Sequence, residues 1–218
     1  MGDVDFNELT AILIDSARRT FRELIRRFVG ERFYAFGLWT EPLYSFVAPT
    51  LNTEEALLRS ARDYHERSPQ IPIGDLACSL RWNPGDFEVH RRSDVTLFDP
   101  QLDNAFSHAA KILNDIIRSG GDAEFDEFHS RLDNVLYTSL AALDSEGTFG
   151  ICDDRNSCIA NIWIGDRSDE EAVEAASRLN PAQAVEMYRR QIQRGREIGE
   201  EWFRRQRLMG PESASGGS

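Results

Sequence analysis

Between positions 33 and 40 the chain reads Phe-Tyr-Ala-Phe-Gly-Leu-Trp-Thr, eight residues without a charge. A strand that is apolar on both faces belongs at the centre of a sheet and needs cover on either side. That requirement points to a layered fold of helices on a sheet, and the flanking sequence supplies helices. Phe6, Leu9, Leu13, Ala17, Phe21, Leu24 and Phe28 recur every three or four residues and predict a first helix from about Asn7 to Phe28, stopped by Gly30.

Glu41-Pro42 predicts a turn, with Tyr44 to Ala48 returning as the second strand of a hairpin. Asn52 and Glu55 stand at capping-box spacing before a second helix that carries Leu57, Ala61 and Tyr64 inward. Leu76 to Trp82 reads as a third strand, with Phe87, Val89 and Arg91 extending the sheet. Asp99-Pro100 pairs an N-cap with a proline at the first helical position and starts a third helix. Gly120-Gly121 ends it, and Asp122 caps a fourth helix lined from Phe125 to Leu143.

Cys158 to Ile164 reads as another strong strand. Ser168 and Glu171 form a second capping box, and Asn180-Pro181 opens a long final helix. The expected fold is a single α+β domain over residues 1–208, a mostly antiparallel sheet of four to six strands packed by about six helices. Residues 209–218 have the composition of a disordered tail.

Charge says more about partners than about chemistry. From Asp94 to Glu171 there are 17 acidic residues against 5 basic ones, which accounts for the whole net charge of −12. A field of one sign attracts opposite charge and repels nucleic acid and anionic membranes. The expected partner is therefore a basic protein, with no nucleic acid and no membrane. No apolar run approaches the ~20 residues of a spanning helix. Met1 to Phe6 lacks the basic-then-apolar order of a signal peptide, and three cysteines, Cys78, Cys152 and Cys158, suit a reducing compartment, so the expected location is the cytoplasm.

Motifs for chemistry are weak. Gly120-Gly121-Asp122-Ala123-Glu124-Phe125 is close to the signature of nucleotide cyclases, but Ala123 interrupts it, and a helix stop followed by a helix start explains it better. Asp153-Asp154-Arg155-Asn156-Ser157 opens like a calcium loop, yet the sixth and twelfth positions hold Cys158 and Ile164 where Gly and Glu are required. His65, His90, His108 and His129 form no ligand pair, and Cys152 and Cys158 are too far apart for a zinc site. No catalytic residue, metal ligand or cofactor is assigned. Trp39, Trp82 and Trp163 fall one on each of three expected strands. Core packing explains most such aromatics, and a shared groove is the alternative.

Several of these segments, in this order, resemble a bacterial family catalogued as domain-of-unknown-function family 4303. They are Phe33 to Thr40, Asn52-Thr53-Glu54-Glu55, Leu80-Arg81-Trp82-Asn83-Pro84, Ile164 to Glu171, and Leu179-Asn180-Pro181. The resemblance spans most of residues 5 to 192. It implies a small α+β protein and carries over no catalytic residue.

The leading expectation is a non-enzymatic binding protein, of the kind that neutralises a toxin as an immunity protein, docking a basic partner on an acidic face. Asp115, Asp122, Glu124, Asp126, Glu127, Asp153 and Asp154 are its candidate contacts, a solvated surface being the plain alternative. A second expectation is an enzyme or small-molecule binder with a groove at the strand ends, built from Trp39, Trp82, Asp86, Trp163 and Asp166. A third is a subunit of a larger assembly, joined through the final helix near Trp202 and Phe203.

Overall fold

In the computed structural model, which describes residues 4–91, 97, 99–150 and 155–209, three strands form one sheet. They are β1 (Phe33–Thr40), β2 (Val47–Thr53) and β3 (Ile159–Ile164), in the order β2-β1-β3. β1 is central, antiparallel to β2 and parallel to β3, with Gly37 opposite Asn161 and Trp39 opposite Trp163.

Among the described residues eight α-helices surround the sheet. They are α1 (Phe6–Arg27), α2 (Glu54–Arg67), α3 (Ile73–Leu80), α4 (Glu88–Arg91), α5 (Pro100–Ser119), α6 (Asp122–Ser145), α7 (Asp169–Ser177) and α8 (Ala182–Met209). None is long and apolar enough to cross a membrane.

Alternation along the strands divides the sheet into two unlike faces. Phe36, Leu38, Ala160 and Ile162 line one side, where Phe21 of α1 and Phe149 pack on Phe36 at ring-centroid distances of 5.9 and 4.9 Å. With α1, α5 and α6 this layer holds the main core. The other side presents Gly37, Trp39, Asn161 and Trp163, with Thr50 from β2, beneath α3, α7 and α8. Buried Thr50, Asn52 and Asn161 make it much the more polar face.

Several sequence expectations are corrected. The sheet has three strands, not four to six, and it is mixed, not mostly antiparallel. Leu76 to Leu80 is helical within α3, because Ile73, Leu76, Ala77 and Leu80 also repeat at helical spacing and Pro72 sets the first turn. A short apolar run satisfies both periods, and packing against α2 and α8 decides. Trp82 therefore follows a helix instead of lying on a strand. Phe87, Val89 and Arg91 do not extend the sheet. A 3-10 turn at Pro84–Asp86, capped by the Asn83 side chain, leads straight into α4.

The hairpin partner of β1 begins at Val47 rather than Tyr44. Tyr44 sits in the turn at φ 57, where its N–H donates to Glu41 O at 3.0 Å. α2 is capped by Thr53, whose Oγ1 accepts from Ala56 N–H at 3.0 Å, and not by Asn52, which is buried and donates to the Tyr34 hydroxyl at 2.8 Å. Gly121 rather than Asp122 is the N-cap of α6. The expected tail lies beyond the described residues from Gly210 onward.

Candidate functional site

Because β1 and β3 run parallel, their carboxyl ends open at the same edge of the sheet, the place where open α/β sheets bind ligands. Gly165 N–H donates to Thr40 O at 3.0 Å and ties the two ends together. The chain then turns at Asp166, which adopts φ 66, a left-handed conformation that Asp and Asn tolerate better than other side chains. Beside this turn lies a cleft of about 450 Å³ between the polar face of the sheet and the helices above it.

Each wall has an identifiable support. Trp39 and Trp163 come from adjacent positions of β1 and β3 and so project from the same face. Trp82 is held edge-on to Tyr34 and Tyr188, at 5.1 and 4.6 Å between ring centroids. Its neighbour Arg81 makes a two-pronged pair with Glu54 at 2.8 and 2.6 Å, while the Tyr34 hydroxyl donates to Arg81 O at 2.7 Å.

Tyr188, Gln191, Gly195 and Arg196 come from α8, and Cys78 and Ser79 from α3. The two helices touch at Gly195, where a Cβ would lie 2.9 Å from Cys78 O. Glycine there permits the close crossing that forms this wall.

The polar atoms of the cleft are incompletely used. Trp82 Nε1 and Gln191 Oε1 are buried and have no hydrogen-bond partner. Trp163 Nε1 is also buried and points at the Tyr188 hydroxyl without reaching hydrogen-bond geometry. Burial pushes Tyr188 up to about 12, against the pull of Trp163 and of the Asn161 amide, which donates to its oxygen at 3.1 Å.

Charge is mostly compensated. Arg167 donates to both oxygens of Asp133 at 3.1 Å, and Asp133 also accepts from the buried Tyr44 hydroxyl at 2.7 Å. Arg196 pairs with Asp169 and approaches Glu170. Asp166 has no partner among the described residues.

His90 stands behind Trp39, with ring centroids 4.6 Å apart, and shares a 2.7 Å hydrogen bond with Thr50 Oγ1. Burial lowers its pKa from 6.5 to about 4. Between those values the unfolded chain binds a proton that the folded chain refuses. Stability therefore falls as pH drops from 6.5 towards 4. Replacing His90 with Gln is expected to flatten that part of the curve, as urea unfolding at pH values across the window will show.

Of the groove residues expected from sequence, Trp39, Trp82, Trp163 and Asp166 come together in the cleft. Asp86 does not join them. Its carboxylate is taken by the Tyr64 hydroxyl at 2.6 Å and the Asn83 amide at 2.5 Å.

Asp122, Glu124, Asp126 and Glu127 are exposed on the first turns of α6 and enter no ion pair among the described residues, while Asp115 lies 3.7 Å from Arg118. Asp153, Asp154 and Cys152 fall outside the described residues. Sequence reasoning misses the contribution of α8. Its available sign is Gly195, a glycine inside a long helical pattern with Tyr188 and Gln191 on the same face.

These features define a helix-rich α+β domain with an aromatic, partly unsatisfied cleft at the ends of two parallel strands. Residues 13–181 match the family model described as Domain of unknown function (DUF4303), and the chain belongs to that family. No curated protein and no solved structure matches it.

Proposed function

We propose that the chain is a binding protein for a small molecule, held in the cleft at the carboxyl ends of β1 and β3. The observation that carries this reading is that Trp82 and Gln191, each with a buried, unpartnered polar atom, both line one aromatic-walled cleft. A buried polar atom without a partner costs about 1–3 kcal/mol. A ligand that supplies the missing partners, or closes the walls so that they find one another, recovers part of that cost. The cleft volume of about 450 Å³ suits a small ligand better than a protein loop. The reading favours binding over catalysis because no histidine stands beside Cys78 or Ser79 among the described lining residues.

Thermal unfolding of the full chain against a fragment set tests it. Ligands of the cleft are expected to raise the midpoint in the wild type and to lose that effect in Trp82→Ala. Stabilisation that survives Trp82→Ala would place binding elsewhere.

A second reading rests on a different observation, the four exposed carboxylates on the first turns of α6, which enter no ion pair among the described residues. They favour docking of a basic protein, in the manner of an immunity protein capturing a cationic toxin, with fast, salt-sensitive association. Charge reversal of Asp126 and Glu127 would weaken such a complex and leave the cleft unaffected.

A further inference from the structure

We propose that the ligand of the cleft is a small organic amine, a protonated nitrogen carried on an apolar or aromatic body. This rests on the reading of the cleft as a binding site and assigns its chemistry. The charges of the lining favour a cation. Both arginines of the lining are taken up, Arg167 by Asp133 and Arg196 by Asp169, so neither is free for an anion. Asp166 is the one lining carboxylate left without a partner among the described residues, and the left-handed turn places it at the rim.

A second observation is independent of charge. Gln191 Oε1 is a buried acceptor with no donor, which is what an N–H-bearing cation supplies. The wall material is a third. Indole and phenol rings give apolar area to the body of the ligand, and their π systems attract cations.

An amine seated here would place its nitrogen towards Asp166 and Gln191 and its body along Trp82 and Trp163. A hydrogen-bond acceptor on that body would in turn meet the indole N–H groups. A free amine is favoured over a lysine side chain because the cleft has the dimensions of a small-molecule site.

The test uses three probes of one shape: phenethylammonium, 2-phenylethanol and 3-phenylpropionate. Each is titrated into the full chain by calorimetry, alongside an acetylated and amidated Gly-Lys-Gly peptide. The amine is expected to bind, the carboxylate not to bind, and the alcohol to bind at least about tenfold more weakly than the amine. In Asp166→Asn, which keeps a residue suited to the left-handed turn, amine affinity should fall about two- to fivefold.

Equal binding of all three probes, or no loss in Asp166→Asn, would overturn the assignment of an amine while leaving the cleft as a site. Binding of the peptide but not of phenethylammonium would overturn it in favour of a protein side chain. Failure of every probe would overturn it too, and the fragment experiment with Trp82→Ala then decides separately whether the cleft binds anything.

Discussion

Gly37→Ala is expected to leave little folded protein at room temperature. A Cβ at position 37 would lie 1.9 Å from Asn161 O and 2.5 Å from the Trp163 ring, and neither neighbour is free to move. The carbonyl belongs to the backbone of β3, paired in register with β1. The indole is itself packed edge-on against Phe87 at 5.6 Å. Relief requires prying the two parallel strands apart. The cost should therefore exceed the ~1–3 kcal/mol of ordinary overpacking and take up much of a domain's ~5–15 kcal/mol of stability.

Gly199→Ala is the matched control. It lies within α8, where an added Cβ would meet nothing within 4 Å, and Ala should gain about 0.5–1 kcal/mol there. Urea midpoints of the two variants are expected to move in opposite directions. A Gly37→Ala protein as stable as wild type would mean that β1 and β3 are not paired in this register.

Asn180→Ala should be nearly as damaging, for a different reason. The outer edge of β3 has no neighbouring strand among the described residues, and the Asn180 side chain takes that place. Its Oδ1 accepts from Ala160 N–H at 2.8 Å and from Arg155 at 2.9 Å, and its Nδ2 donates to Ala160 O and Ala176 O at 2.7 Å each. Ala160 is buried, so truncation strands a donor and an acceptor out of reach of water. The expected loss is about 2–4 kcal/mol.

Asn180→Asp discriminates between two roles. If Asn180 served only to start α8, Asp would replace it without loss, being an equally good N-cap. If the amide closes the sheet edge, Asp keeps the acceptor, loses both donors and sets a charge against two carbonyls. A clear loss is then expected in urea unfolding.

This one side chain also explains much of the error in the expected sheet. With an amide and Arg155 closing the edge of β3, no further strand is needed there, and no local pattern announces that substitution. The long amphipathic stripes are legible: Leu9 to Leu24 and Leu102 to Ile116 form buried helix faces, and the Ser168–Glu171 box closes in both directions. Phe33 to Thr40 is central because nothing in it tolerates exposure. The parallel pairing of β1 with β3 joins residues over a hundred positions apart, and periodicity carries no information about it.

Charge is legible as a sum but not as a distribution. The acidic stretch is partly answered by arginines from within and outside it: Glu146 pairs with Arg18, Asp99 with Arg19, Asp144 with Arg155 and Asp133 with Arg167. Among the described residues, the carboxylates at the start of α6, Asp103 and Asp166 enter no ion pair. The last of these stands at the cleft, whose aromatic walls show in the sequence as three tryptophans. Its α8 wall shows only as Gly195 inside a long helical pattern, and nothing local says that the glycine marks a crossing with α3.

Ligand is expected to bind at the strand ends, and the four indole N–H resonances of Trp39, Trp82, Trp163 and Trp202 report on it directly. Trp202 serves as the internal reference, since it packs on Phe203 and takes no part in the cleft. In a ¹⁵N–¹H titration with an amine ligand, the Trp82 and Trp163 signals should shift together and saturate while Trp202 stays fixed. Saturable shifts confined to Trp202, or to the backbone amides of Asp122 to Glu127 with all indoles unmoved, would contradict the account.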